Sequence, residues 1–100
     1  MTRRTAEISA PLIHPCYDGH FPGRPILPGV LLIELVVEAL GRGAPVAIPQ
    51  VKFQRALGPG DRCTVRFDGD GARVSFRCER STSGGYEPIA EGVLLFGADA

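Results

Sequence analysis

Between Pro28 and Gly41 the sequence reads Gly29-Val-Leu-Leu-Ile-Glu-Leu-Val-Val-Glu-Ala-Leu40, a segment of helical length that is apolar on nearly every side. Pro28-Gly29 suits a helix start and Gly41-Arg42-Gly43 a C-cap. This predicts a helix running to about Leu40, ~18 Å long at ~1.5 Å per residue. A helix without a broad polar face needs cover on all sides. A sheet wrapped around it would supply that cover.

The rest of the chain has the pattern of such a sheet. Ala6, Ile8, Ala10 and Leu12 alternate with Glu7, Ser9 and Pro11, which predicts a half-buried first strand. After the helix, Val51 and Phe53 alternate with Gln50, Lys52 and Gln54. Cys63, Val65 and Phe67 alternate with Arg62, Thr64 and Arg66, and Val74, Phe76 and Cys78 with Arg73, Ser75 and Arg77. Gly58-Pro-Gly-Asp61 and Asp68-Gly-Asp-Gly71 carry turn chemistry. A hairpin about Gly69-Asp70 would set Phe67 near Ala72, Val65 near Val74 and Cys63 near Phe76, all facing the helix. Ser81 to Gly85 reads as a loop, and Ile89 to Phe96 as a central, almost continuously apolar strand. Strand, helix, then four strands gives an α+β fold, an antiparallel sheet curled around one central helix. Residues 1–100 read as a single domain.

Eleven basic and eleven acidic residues cancel, and no basic stripe stands out beyond Arg3-Arg4. Nucleic acid is therefore not an expected partner. Cys16, Cys63 and Cys78 are odd in number and form no Cys-x-x-Cys pair, which fits a reduced protein better than a disulfide scaffold. Met1-Thr-Arg-Arg-Thr5 is followed by no hydrophobic signal core, and Val30 to Leu40 is too short to span a bilayer. The expectation is a cytoplasmic protein with no membrane partner.

Two side chains stand out chemically. His20 lies in a loop stiffened by Pro22, Gly23, Pro25, Pro28 and Gly29, which restricts its poses. Glu34 sits among Val30, Leu31, Leu32, Ile33, Leu35, Val36 and Val37, so it is expected to be partly desolvated and to hold a proton near neutral pH. Such a pair can remove one proton and deliver another. A rival reading takes His14, Cys16, Asp18 and His20 as metal ligands on one side of an extended segment. Pro15 and Gly19 disturb that run, and no metal is expected. The Pro-x-x-Pro spacing of Pro22, Pro25 and Pro28 matches a polyproline ligand, but within a short ordered loop it serves as stiffening.

The segment His14-Pro-Cys-Tyr-Asp-Gly-His-Phe-Pro-Gly-Arg-Pro-Ile-Leu-Pro-Gly-Val-Leu-Leu-Ile-Glu34 resembles the signature loop and helix of bacterial 3-hydroxyacyl-[acyl-carrier-protein] dehydratases of the FabZ/FabA type, which have the hotdog fold. Val51-Lys-Phe-Gln-Arg-Ala-Leu-Gly-Pro-Gly-Asp61 is similar to that family's Phe-x-Arg…Pro-Gly-Asp strand and turn. The chain departs from the family in its short segment before the first strand and in Glu38, where the family commonly has Gln. Glu rather than Asp at 34 points to the FabZ-like dehydratase over the dehydratase-isomerase.

The resemblance implies a hydro-lyase converting 3-hydroxyacyl thioesters to trans-2-enoyl thioesters, without a cofactor. His20 would take the proton beside the thioester carbonyl and Glu34 would protonate the leaving hydroxyl. The Gly29 amide would face the thioester oxygen, with Phe21, Pro28 and Val30 around the substrate. It further implies a homodimer with sites shared across the interface, the Val51–Phe53 strand pairing with its copy, and an acyl carrier protein or coenzyme A as the carrier. Arg24, Lys52 and Arg55 could attract an acidic carrier. The alternatives are a hotdog thioesterase and a non-catalytic acyl-carrier-binding subunit.

Overall fold

The computed structural model describes residues 3–17 and 25–97. It contains β1 (Arg3–Ser9), a 3-10 turn (Pro15–Tyr17), α1 (Gly29–Leu40), β2 (Ala47–Phe53), β3 (Arg62–Asp68), β4 (Arg73–Thr82) and β5 (Gly85–Leu95). The strands form one antiparallel sheet in the order β1-β3-β4-β5-β2. The α+β expectation of one helix against an antiparallel sheet is met.

The helix starts and stops where the sequence places it. Pro28 is the N-cap, with no side-chain cap, and its carbonyl accepts from the amides of Leu31 and Leu32 at 3.0 and 3.1 Å. At the other end Gly41 adopts φ 78°, and its N–H reaches the Val37 carbonyl at 3.2 Å. A glycine takes that left-handed conformation without a Cβ clash. Arg4 of β1 completes the terminus by donating to the carbonyls of Leu40 and Ala39 at 3.1 and 3.4 Å. A guanidinium there also suits the negative end of the helix dipole.

The core comes from inward positions of β1, β3, β4 and β5, with Val51 of β2 only partly buried against it. Ile8, Val65, Phe67, Val74, Phe76, Cys78, Ile89, Ala90 and Leu94 pack with Leu32, Val36 and Leu40 of the helix. Those three helix residues recur every fourth position and form one stripe. The opposite stripe, Val30, Glu34 and Glu38, is exposed. The expectation that this chain's own sheet covers every side of the helix is therefore corrected. One stripe is buried, its flanks Leu31, Ile33, Leu35 and Val37 are partly covered, and the apolar Val30 remains 72% exposed.

The β3–β4 hairpin keeps its faces but not its expected register. Phe67 pairs with Phe76 and Val65 with Cys78, four residues further along β4 than expected. An even shift preserves the side-chain faces, so Val65 and Val74 both remain buried. The cause lies in the turn. Asp68 pairs with Ser75, so β4 begins at Arg73, two residues before its pairing with β3, and 69–72 form the loop. Gly69 holds φ 102° with the Arg73 carbonyl 2.6 Å from where a Cβ would stand.

Two other bounds differ. β1 ends at Ser9 because Pro11 cannot donate to a ladder. Ala10 stays buried, bonded to the Asp61 carbonyl at 2.8 Å, whereas Leu12 is 75% exposed instead of extending the strand. Ser81 to Gly85 is not a loop. β4 and β5 continue through Ser81↔Tyr86 and Thr82↔Gly85, joined by a two-residue turn at Ser83-Gly84.

Cys63 and Cys78 are both buried and free. A hydrogen bond to Cys63, reinforced by burial, pushes the Cys78 thiol well above the ordinary thiol range. Neither thiol should react with an aromatic disulfide reagent in the folded protein at pH 8, and both should react in denaturant. Fast native-state labelling of Cys78 would contradict this packing.

Candidate active site

The start of α1 is the chemical focus. The first amides of a helix have no intrahelical acceptor, and the dipole there favours negative charge. Pro28 contributes no donor and the first turn holds no acidic side chain, so the amides of Gly29 and Val30 meet no competing carboxylate from their own turn. An anion approaching this end would be stabilised.

A groove of about 410 Å³ opens beside it, lined by Ile26, Leu27, Gly29, Leu32, Phe53, Gln54, Arg55, Ala56 and Leu57. Its two rims are tied together by the Leu27 amide, which donates to the Leu57 carbonyl at 2.8 Å. The amides of Gln54 and Arg55 share the Ile89 carbonyl at 2.8 and 3.2 Å and anchor the outer rim to β5. Below it, Glu87 accepts from Arg80 Nε at 2.8 Å and pairs with Arg55 at 3.7 Å, while Arg80 also reaches Asp61 at 3.2 Å. The turn at 58–61 is closed by the Gly58 amide donating to the Asp61 carboxylate at 2.8 Å. Arg55, named above as a possible carrier contact, thus has a partner within the chain.

Glu34 lies on the outward stripe with Val30 and Glu38, one helical turn from each, and is exposed. The expected desolvation by its sequence neighbours does not occur within one chain. Side chains adjacent along a helix point in different directions, so Leu32 and Val36 bury themselves in the core and leave Glu34 facing out. Glu34 and Glu38 are like charges at i and i+4, an arrangement that is unfavourable unless another group comes between or beside them. Gly29 and Pro28 stand at the helix mouth and Val30 one step inside it.

His20, Phe21, Asp18 and Arg24 lie outside the described residues. No cluster of three or more metal-ligating side chains occurs among the described residues. The residue that sequence reasoning missed is Phe53. Its alternation with Lys52 marks it as inward-facing, but nothing in the sequence indicates that its ring would stand against Gly29.

A larger recess of about 770 Å³ lies on the other side of the sheet, away from the helix start. One aligned row there runs Thr5, Arg66, Arg77, Glu91, Lys52 across all five strands. Arg66 is paired with Glu79 at 2.6 Å and Arg77 with Glu91 at 3.5 Å, so it reads as a solvated, cross-paired face.

A family profile described as ApeI dehydratase, ApeI-like, matches residues 1–92. The chain belongs to this ApeI-like dehydratase family. Among curated proteins it is similar to the 3-hydroxyacyl-[acyl-carrier-protein] dehydratase FabZ of Wolbachia sp. subsp. Brugia malayi, with 33% identity over 99 residues, covering 81% of this chain and 66% of that protein. The chain spans less than two thirds of the length of the curated relatives it matches. Among solved structures it is similar to the dehydratase heterocomplex ApeI:P from Xenorhabdus doucetiae, with TM-score 0.70 and 25% identity over 93% of this chain and 85% of that one. A fluoroacetyl-CoA thioesterase, FlK, shares the fold at TM-score 0.60 and 19% identity, covering 92% of this chain and 81% of that one. The architecture is the hotdog fold of these dehydratases and thioesterases.

Proposed function

We propose that the protein removes water from 3-hydroxyacyl thioesters carried by an acyl carrier protein, giving trans-2-enoyl thioesters, and that it does so as a single-domain subunit of a homodimer. The observation that carries this reading is the outward stripe of α1. A family dehydratase with its His20…Glu34 segment intact presents Glu34 away from its own core, beside exposed Val30 and the open amides at Gly29. A second protomer supplying His20 would complete the site and cover the stripe.

The chemistry then follows from the residue types. Neutral His20 takes a proton from the carbon next to the thioester carbonyl. Negative charge grows on the thioester oxygen, where the Gly29 amide donates a hydrogen bond, a contribution of roughly 3–4 kcal/mol for one such donor. Protonated Glu34 gives its proton to the 3-hydroxyl, which leaves as water. His20 is then cationic and Glu34 anionic, and a proton passing from one to the other, directly or through solvent, resets the site. Phe21, Pro28 and Val30 border the acyl group. No cofactor or metal takes part in these steps.

Dimerisation is supported by the edge position of β2, which pairs only with β5 among the described strands. It carries exposed Ile48 and Phe53 and follows exposed Val46. An unpaired apolar edge invites strand addition, and pairing β2 with its copy would continue the sheet across both subunits. No helix of the described residues is long and apolar enough to cross a membrane, and a cytoplasmic location is proposed with the carrier.

The test is direct. Purified protein is incubated with 3-hydroxyacyl groups of several lengths, on carrier protein and on coenzyme A, and the loss of one water is followed by mass spectrometry. Dehydration faster on the carrier is expected, and no dehydrated product on either carrier at any length would overturn the activity. Sedimentation at micromolar concentration should show a dimer, and a monomer there would remove the shared site.

A further inference from the structure

One wall of the groove at the helix start differs from the others. Ile26, Leu27, Leu32 and Leu57 are aliphatic, whereas Phe53, the last residue of β2, brings the tip of its ring onto Gly29. A Cβ at position 29 would lie 2.7 Å from Phe53 Cζ and 3.0 and 3.1 Å from the two Cε atoms. The ring therefore fills the space that a side chain at 29 would take. Cα–Cβ bonds of a helix lean toward its N-terminus, the direction in which the free amides also point. The ring tip thus stands beside the amide that the reaction would use. Phe53 is 51% exposed, so the ring is a wall of the groove and not a member of the buried core.

We propose that Phe53 is a specificity-determining residue that limits bulk on the acyl carbon next to the thioester carbonyl. Unbranched 3-hydroxyacyl groups are accepted and 2-methyl-branched ones are disfavoured. This rests on the dehydratase reading and on the thioester oxygen docking at Gly29. With that oxygen at ~2.7–3.1 Å from the amide nitrogen, the adjacent carbon lies only two bonds from it, within reach of the ring tip. The ring tip already occupies the space beside the Gly29 Cα, so a methyl group directed to that side of the groove would meet it. As the proton leaves, that carbon becomes planar, and an unbranched substrate then presents only one hydrogen toward the wall.

The experiment compares wild type, Phe53→Leu and Phe53→Ala on 3-hydroxybutyryl and 2-methyl-3-hydroxybutyryl pantetheine thioesters. The kcat/KM ratio is measured, and calorimetry gives the affinities of the two unreactive thioether analogues. Wild type should prefer the unbranched compound by about 10–200-fold, the usual range for one methyl group in a shaped pocket. Phe53→Ala should bring the ratio to within about threefold, mainly by a gain with the branched substrate, and Phe53→Leu should fall between. The affinities should move in the same sense.

A ratio that does not change with either variant, in turnover and in binding, would overturn the wall. Should Phe53→Ala fail to fold, Phe53→Leu carries the same comparison. A wild type that binds both analogues with the expected preference, relaxed in the variants, yet dehydrates neither thioester would end the dehydratase reading and leave the steric wall standing. A wild type that neither binds the analogues nor dehydrates the thioesters would overturn both.

Discussion

Glu34→Gln is expected to lower kcat/KM for dehydration by about 10²–10⁴, the typical worth of one positioned acid, with little change in thermal stability. The amide keeps the shape but holds no acidic proton. Glu34 is exposed and outside the core cluster, so its replacement removes no packing within the chain. His20→Asn should cause a loss of the same order. The two inactive variants should rescue each other when mixed. A heterodimer would hold one site carrying both substitutions and one carrying neither. Random exchange of equal amounts makes about half of the dimers heterodimeric, so it should restore about a quarter of wild-type activity if the sites act independently. Exchange confirmed by mass spectrometry without any recovery would rule out catalysis across the interface. Fully active single variants would remove His20 and Glu34 from the chemistry altogether.

The outward stripe explains why the environment of Glu34 could not be read from its neighbours along the chain. Seven apolar residues around it in sequence suggested desolvation, but a helix sends them in several directions. What surrounds Glu34 depends on what covers the stripe, and this chain's described residues do not. The helix bounds, by contrast, rest on local chemistry at Pro28 and Gly41 and were legible to within a residue. The faces of β3 and β4 were legible for a similar reason, since period-2 alternation survives any even shift.

Their register was not legible. Asp68-Gly-Asp-Gly71 offers more than one place to turn, and the observed turn sets Gly69 close against the Arg73 carbonyl, an approach of backbones that leaves no mark in the hydrophobic pattern. The end of the β4–β5 hairpin was missed because Ser81 to Tyr86 is exposed and so carries no apolar alternation, although its strands are paired throughout. The Phe53–Gly29 contact joins residues distant in sequence, and only the folded path of β2 reveals it.

That path depends on a single small residue. Gly92 of β5 lies opposite Val51 of β2, and a Cβ there would stand 2.6 Å from the Gln50 carbonyl oxygen and 2.8–2.9 Å from the Phe76 ring. One obstacle is backbone and the other a buried ring, so neither can yield cheaply. Gly92→Val should therefore push β2 off β5 as well as overpack the core. Overpacking of this kind costs typically ~1–3 kcal/mol, and at roughly 4–8 °C per kcal/mol for a domain of this size the melting temperature should fall by about 5–20 °C. The functional loss should exceed the stability loss. β2 carries both the edge proposed to pair between protomers and Phe53 at the helix mouth, so at a temperature where the variant is still folded it should sediment as a monomer and show little dehydration. A Gly92→Val protein that melts within about 2 °C of wild type and remains an active dimer would show that β2 is not held where this packing places it.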